Sequence, residues 1–198
     1  MAGQGSRGDV LVPDLGTDAV LTYTLSTDGK LVEKEELRFS TAPGAGPRHV
    51  RFHLNGCHLF VLDELGSTLM VLRLDGRSFV PVSTVSTLGT GSFPESTASE
   101  VRVAPSGRYV FAANRGPGSD TIAMFRFDEG SERLSLVHVE WSRGRVPREF
   151  TQSPQGRYLL VANQGTDTIV TFEIDEDKPG LDYVSETEVP TPVSLLFP

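Results

Sequence analysis

The chain has 198 residues and one cysteine, Cys57. That excludes an internal disulfide and every paired CxxC zinc pattern. No segment approaches the roughly 20 apolar residues of a membrane-spanning helix. The amino terminus, MAGQGSRGDV, lacks the apolar stretch of a secretory signal. Lys and Arg nowhere cluster. With 26 acidic against 18 basic residues the formal charge is −8, which argues against a nucleic-acid surface. Neither GxSxG nor HExxH occurs, removing the commonest serine-hydrolase and zinc-protease readings. Gly44-Ala45-Gly46 and Gly89-Thr90-Gly91 lack a strand–turn–helix context and read as loop glycines. His53, His58 and His138 have no second ligand at metal spacing, so no metal and no cofactor is expected. What remains is a cytosolic globular protein of ordinary composition, 38% apolar and 22% charged.

The chain repeats itself. GRYVFAANRG at 107–116 returns as GRYLLVANQG at 156–165, and degenerate copies precede it at 9–16 (DVLVPDLG) and 58–66 (HLFVLDELG). Aligning Asp14, Asp63, Asn114 and Asn163 gives steps of 49, 51 and 49 residues. The downstream halves DAVLTYTL, TLMVLRLD, TIAMFRFD and TIVTFEID match as well. Each copy consists of β-branched and aromatic runs broken by turn signals such as Asn55-Gly56, Ser106-Gly107 and Gln155-Gly156. No stretch sustains helical spacing over three turns.

Four strands in about fifty residues, repeated, are the signature of propeller blades, which bury their faces only against neighbouring blades. A β-sandwich is the alternative, but it gives no reason for the period. The expected fold is therefore all-β: a β-propeller of four-stranded antiparallel blades, about four of them, over residues 9–198 after a flexible terminus at 1–8. With strands labelled a to d, the chain opens at strand b (VLVPDL) and runs through three complete sets. It then closes with a lone a strand, VSLLFP. That strand either completes the first blade and closes a ring or leaves an open arc, whose edges invite self-association.

The a–b hairpins share one orientation, so their open ends are expected to gather Arg48, His49, Glu64, Glu100, Arg115, Arg148, Glu149 and Gln164 at one mouth of the channel. Arg48 and Glu64, each eight residues from Gly56, are expected as cross-strand neighbours, Ser99 as facing Arg115, and Arg148 as facing Gln164. The column Leu15, Glu64, Arg115, Gln164 varies in a way packing does not explain. A pocket with a different task for each blade would produce it, and several arginines with one or two carboxylates suit a small anionic ligand. The plainer reading of Arg48 and Glu64 is a structural ion pair. The Asp14/Asp63/Asn114/Asn163 column reads as satisfying turn backbone. The Gly-rich connection at 87–100 is either a lid or an expanded loop.

GAGPRHVRFHLNGCHLFVLDELGSTLMVLRLD (44–75), SEVRVAPSGRYVFAANR (99–115), VPREFTQSPQGRYLLVANQ (146–164) and TPVSLLF (191–197) resemble the lactonase family of β-propellers. VPDLGTDAV (12–20) is similar to its carboxymuconate cyclase branch. Members are seven-bladed, and the likeness covers only their carboxyl-terminal blades. It implies a lactone hydrolase acting on 6-phospho-D-glucono-1,5-lactone, a small anionic sugar lactone. In that reading Glu64 is the general base, Arg48 or Arg115 stabilises the oxyanion, and His49, Glu100, Arg148 and Gln164 hold substrate. Two alternatives stand beside it: a muconate-type lactonising enzyme, and a non-catalytic propeller used as a binding module.

Overall fold

Among the residues described in the computed structural model, 8–76, 78–91 and 93–198, the chain forms sixteen strands. They make four antiparallel sheets in strict sequence order. The first contains β1 (Asp9–Asp14), β2 (Ala19–Leu25), β3 (Leu31–Glu33) and β4 (Phe39–Ser40). Its outer strand is interrupted by a 3-10 turn at Glu35–Leu37, so β3 and β4 both pair with β2. The second contains β5 (Pro47–Phe52), β6 (His58–Asp63), β7 (Thr68–Asp75) and β8 (Ser78–Ser86). The third contains β9 (Thr97–Val103), β10 (Tyr109–Arg115), β11 (Thr121–Asp128) and β12 (Arg133–Trp141). The fourth contains β13 (Pro147–Gln152), β14 (Tyr158–Asn163), β15 (Thr168–Asp175) and β16 (Gly180–Glu188).

The packing follows from strand alternation. In β6 all six residues are buried, because successive side chains enter two different cores. Leu59 and Val61 pack with Leu11 and Val20 of the first sheet, whereas Phe60 and Leu62 pack with Val101, Val110, Ala123 and Phe125 of the third. Phe111, Ile122 and Met124 of the third sheet meet Phe150, Leu159, Val170 and Phe172 of the fourth. Three cores thus lie between four consecutive sheets, the arrangement of propeller blades rather than of a two-sheet sandwich. Each fully buried Phe or Leu there contributes about 1.5–3 kcal/mol.

Turn carboxylates staple the first blade to the second, the third to the fourth and the fourth to the carboxyl-terminal segment. At the second-to-third junction a hydroxyl serves, Ser67 Oγ donating to Ser96 O (3.2 Å). Asp18, in a left-handed turn conformation, accepts hydrogen bonds from the amides of Gly44 (2.7 Å) and Gly46 (2.9 Å). Asp120 accepts from Val146 N (2.9 Å) and Asp167 from Thr191 N (2.7 Å). The last staple places Thr191-Pro192 where Gly46-Pro47 and Val146-Pro147 stand in their blades, and all three prolines are buried. The strand expected at VSLLFP nevertheless does not form. Residues 192–198 belong to no sheet, because a strand needs a ladder partner and β1 pairs only with β2 among the described residues. Among the described residues no ladder closes a four-blade ring. Of the expected flexible terminus, residues 1–7 lie outside the described residues.

The Asp/Asn column behaves as a strand-end fastener. Asn114 Nδ2 donates to Thr87 O (2.8 Å) and Asn163 Nδ2 to Ser142 O (2.9 Å). Asp14 Oδ1 accepts from Gly16 N within its own turn (2.9 Å). In the 87–100 connection, Leu88, Gly89, Thr90, Gly91 and Phe93 lie against Leu136 and Val139 of β12, on the outside of the third blade. It is an expanded loop there, not a cover over the channel.

Candidate functional site

The site is built by an irregularity that recurs in three blades. On each inner strand one residue has no partner opposite. Arg48 is skipped between the pairs Pro47–Asp63 and His49–Leu62, Ser99 between Ala98–Asn114 and Glu100–Ala113, and Arg148 between Pro147–Asn163 and Glu149–Ala162. A bulge of this kind bends the strand and re-aims the extra side chain. The chain enters two of these bulges through a left-handed residue, Gly46 (φ 65°) and Val146 (φ 54°). At Gly46 a Cβ would stand 2.8 Å from Leu65 Cγ. Val146 is β-branched, for which this conformation costs on the order of 1–3 kcal/mol and persists only where surrounding contacts impose it. Here they are the Asp120 staple and the bond from Gln164 N to Val146 O (3.0 Å).

The bulges frame a cavity of about 520 Å³ lined by Arg48, His49, Arg51, Glu100, Arg102, Arg148 and Glu149, with Leu11, Pro13, Val50, Val193 and Ser194 completing the wall. Four guanidiniums against two carboxylates leave the lining formally positive inside a protein of charge −8. His49 registers that field. Burial, then the charges of Arg48, Arg51 and Arg102, push its imidazole down to about 3, so it is neutral at physiological pH. Burial pushes the Glu100 carboxyl up, opposed by Arg51 and Arg102.

Carboxylates hold three of the arginines. Arg48 Nη1 reaches Glu64 Oε2 at 2.8 Å, and its Nε donates to Ser99 O at 2.8 Å. Arg51 Nη2 donates to Glu100 Oε1 (2.8 Å) and Arg102 Nη2 to Glu149 Oε1 (2.8 Å). Glu149 Oε2 also accepts from Leu195 N (3.0 Å), which ties the carboxyl-terminal segment to the cavity wall. Beside the lining, Arg115 Nη2 engages the other oxygen of Glu64 at 2.5 Å, and its Nε reaches Thr97 Oγ1 at 3.2 Å.

The structure therefore brings Arg48, His49, Glu100, Arg148 and Glu149 to one cavity and joins Glu64 and Arg115 to it through Arg48. Two expected pairings are corrected. Arg115 is opposite Thr97, with Ser99 bulged out of register. Arg148 is itself a bulge residue and does not face Gln164. Gln164 does not line the cavity. Arg51 and Arg102 were not anticipated. Their signal was the two-residue alternation on the inner strand, which places 51 with 49 and 102 with 100.

A propeller arc with an arginine-rich cavity at its channel mouth is the class of protein this geometry defines. Residues 3–197 match the model of the family described as "Lactonase, 7-bladed beta-propeller". The chain belongs to that family. It is 35% identical over 191 residues to a 6-phosphogluconolactonase of Bacillus subtilis, covering 95% of this chain and 53% of the relative. A 6-phosphogluconolactonase of Formosa agariphila is 30% identical over 171 residues, 84% of this chain and 47% of its own. Among solved structures, the periplasmic gluconolactonase of Pseudomonas aeruginosa superposes with TM-score 0.90 at 28% identity, over 97% of this chain and 54% of that one. A putative 6-phosphogluconolactonase of Bacteroides fragilis gives 0.86 at 30% identity, over 93% and 53%. The chain spans about half the length of these relatives. Among the described residues, no helix is long and apolar enough to cross a membrane.

Proposed function

We propose that the protein hydrolyses a small anionic lactone, with 6-phospho-D-glucono-1,5-lactone as the preferred candidate. The observation that carries this reading is the net-positive, arginine-lined cavity in an otherwise acidic member of the lactonase family. Hydrolysis requires water to add to the lactone carbonyl, a tetrahedral oxyanion to be stabilised, and the ring C–O bond to break with a proton delivered to the leaving oxygen. Arg48 is fixed at two points, so its guanidinium is preorganised for the developing oxyanion. Neutral His49 and Ser194 supply hydrogen bonds to substrate hydroxyls.

Glu64 is the proposed base. A carboxylate has about four lone-pair directions, and the two guanidiniums on Glu64 leave others for a water. A second assignment rests on a specific observation: Glu100 lies on the cavity lining itself, and burial raises its carboxyl toward the range of an effective base. Purified protein with the phosphorylated lactone, read as acid release above the spontaneous rate, tests both. Glu64→Gln is expected to lower kcat by about 10²–10⁴. The same loss in Glu100→Gln alone moves the base to Glu100. No hydrolysis by the wild type overturns the proposal.

A further inference from the structure

The repeat supplies an internal comparison. Arg48 and Arg148 are the same bulge residue in two blades, each preceded by a buried proline. In the second blade the residue after the Asp/Asn column is Glu64, and it clamps Arg48. In the fourth blade that position is Gln164, a neutral amide, and its side chain makes no hydrogen bond to Arg148 among the described residues. The second restraint on Arg48, the carbonyl of Ser99 in the following blade, also has no counterpart at Arg148. Glu149, next in sequence, is committed to Arg102 and to Leu195 N. Arg148 is thus the one arginine of the lining with no carboxylate partner among the described residues.

We propose that Arg148 is the oxyanion receptor of the cavity, the residue that takes the phosphate or carboxylate group of a ligand, and that Gln164 keeps it available by withholding the clamp. The proposal rests on reading this cavity as a substrate site. A partly buried guanidinium costs free energy to desolvate, and a ligand oxyanion supplies in forked geometry what Glu64 supplies to Arg48. The other three guanidiniums already spend donors and charge on a protein carboxylate. Arg148 thereby selects for the charged end of the substrate, whereas Arg48 faces the reacting carbonyl.

Titration calorimetry with inorganic phosphate and, separately, acetate tests this without turnover. The wild type binds phosphate more tightly than acetate if a phosphate ester is the ligand, and the reverse order assigns a carboxylate. Arg148→Ala is expected to weaken binding of the preferred anion about 10–100-fold, and Arg148→Lys to retain part of it. Gln164→Glu is expected to weaken it similarly by recreating the second-blade clamp, with urea midpoints as the folding control. Unchanged binding in Arg148→Ala or in Gln164→Glu overturns the proposal, as does a wild type that binds neither anion. A wild type that binds phosphate through Arg148 yet hydrolyses no lactone refutes the hydrolase reading and leaves the receptor standing.

Discussion

Replacing Glu64 by Gln tests whether the two-armed ion pair also welds the second blade to the third. Glu64 follows β6, and its carboxylate receives Arg48 from β5 and Arg115 from the end of β10. A hydrogen bond to a charged group is worth about 1.5–3 kcal/mol. The three side chains are 12–23% exposed, so water recovers part of the loss. Gln also keeps one carbonyl oxygen for one guanidinium, while two like charges are left facing each other. The expected destabilisation is about 2–4 kcal/mol. At about 2–4 °C per kcal/mol for a chain of this size, that lowers Tm by about 4–16 °C. Urea unfolding followed by circular dichroism should move the midpoint with the slope unchanged. A double-mutant cycle with Arg115→Met should give a coupling of about 1 kcal/mol or more. A loss below about 0.5 kcal/mol, or additive single mutants, refutes the weld.

Two further outcomes follow from the site's surroundings. Asp63 is buried with Oδ1 unpartnered, and burial raises its carboxyl above the ordinary value. Asp63→Asn, matching Asn114 and Asn163, should stabilise the fold by about 1 kcal/mol at neutral pH. The native state here binds the proton more tightly than the unfolded chain. The wild-type penalty therefore grows as pH rises through the native value, and the variant's advantage in urea midpoint should shrink on acidification; a pH-independent difference contradicts it. His49 has the opposite sign. The unfolded chain takes up its proton near 6.5 and the native state only at about 3, so between those values the unfolded state binds more protons and stability rises with pH. His49→Gln should flatten that part of the pH–stability profile relative to the wild type.

Much of the fold was legible in the linear chain. The 49-, 51- and 49-residue steps located every blade. Hairpin arithmetic brought Arg48 near Glu64, although the bulge at Arg48 takes the two out of register and only their side chains meet. The same arithmetic misjudged Ser99 opposite Arg115 and Arg148 opposite Gln164, because it assumed an unbroken ladder. A bulge shifts register by one residue, and nothing in the composition of PRH, ASE or PRE marks it.

What the sequence by itself determined is the repeating unit, its strand order and the residues that fill the cores, since these depend on local alternation and on apolar area that must leave water. Only the tertiary structure decided that Arg51 and Arg102 join the cavity and Gln164 stays out of it, and that the carboxyl-terminal segment is stapled in place without becoming a strand. Those outcomes depend on competition among backbone partners from different blades. A ladder needs a second strand, and a charge settles where another blade presents its counterpart, neither of which is a property of the neighbouring residues.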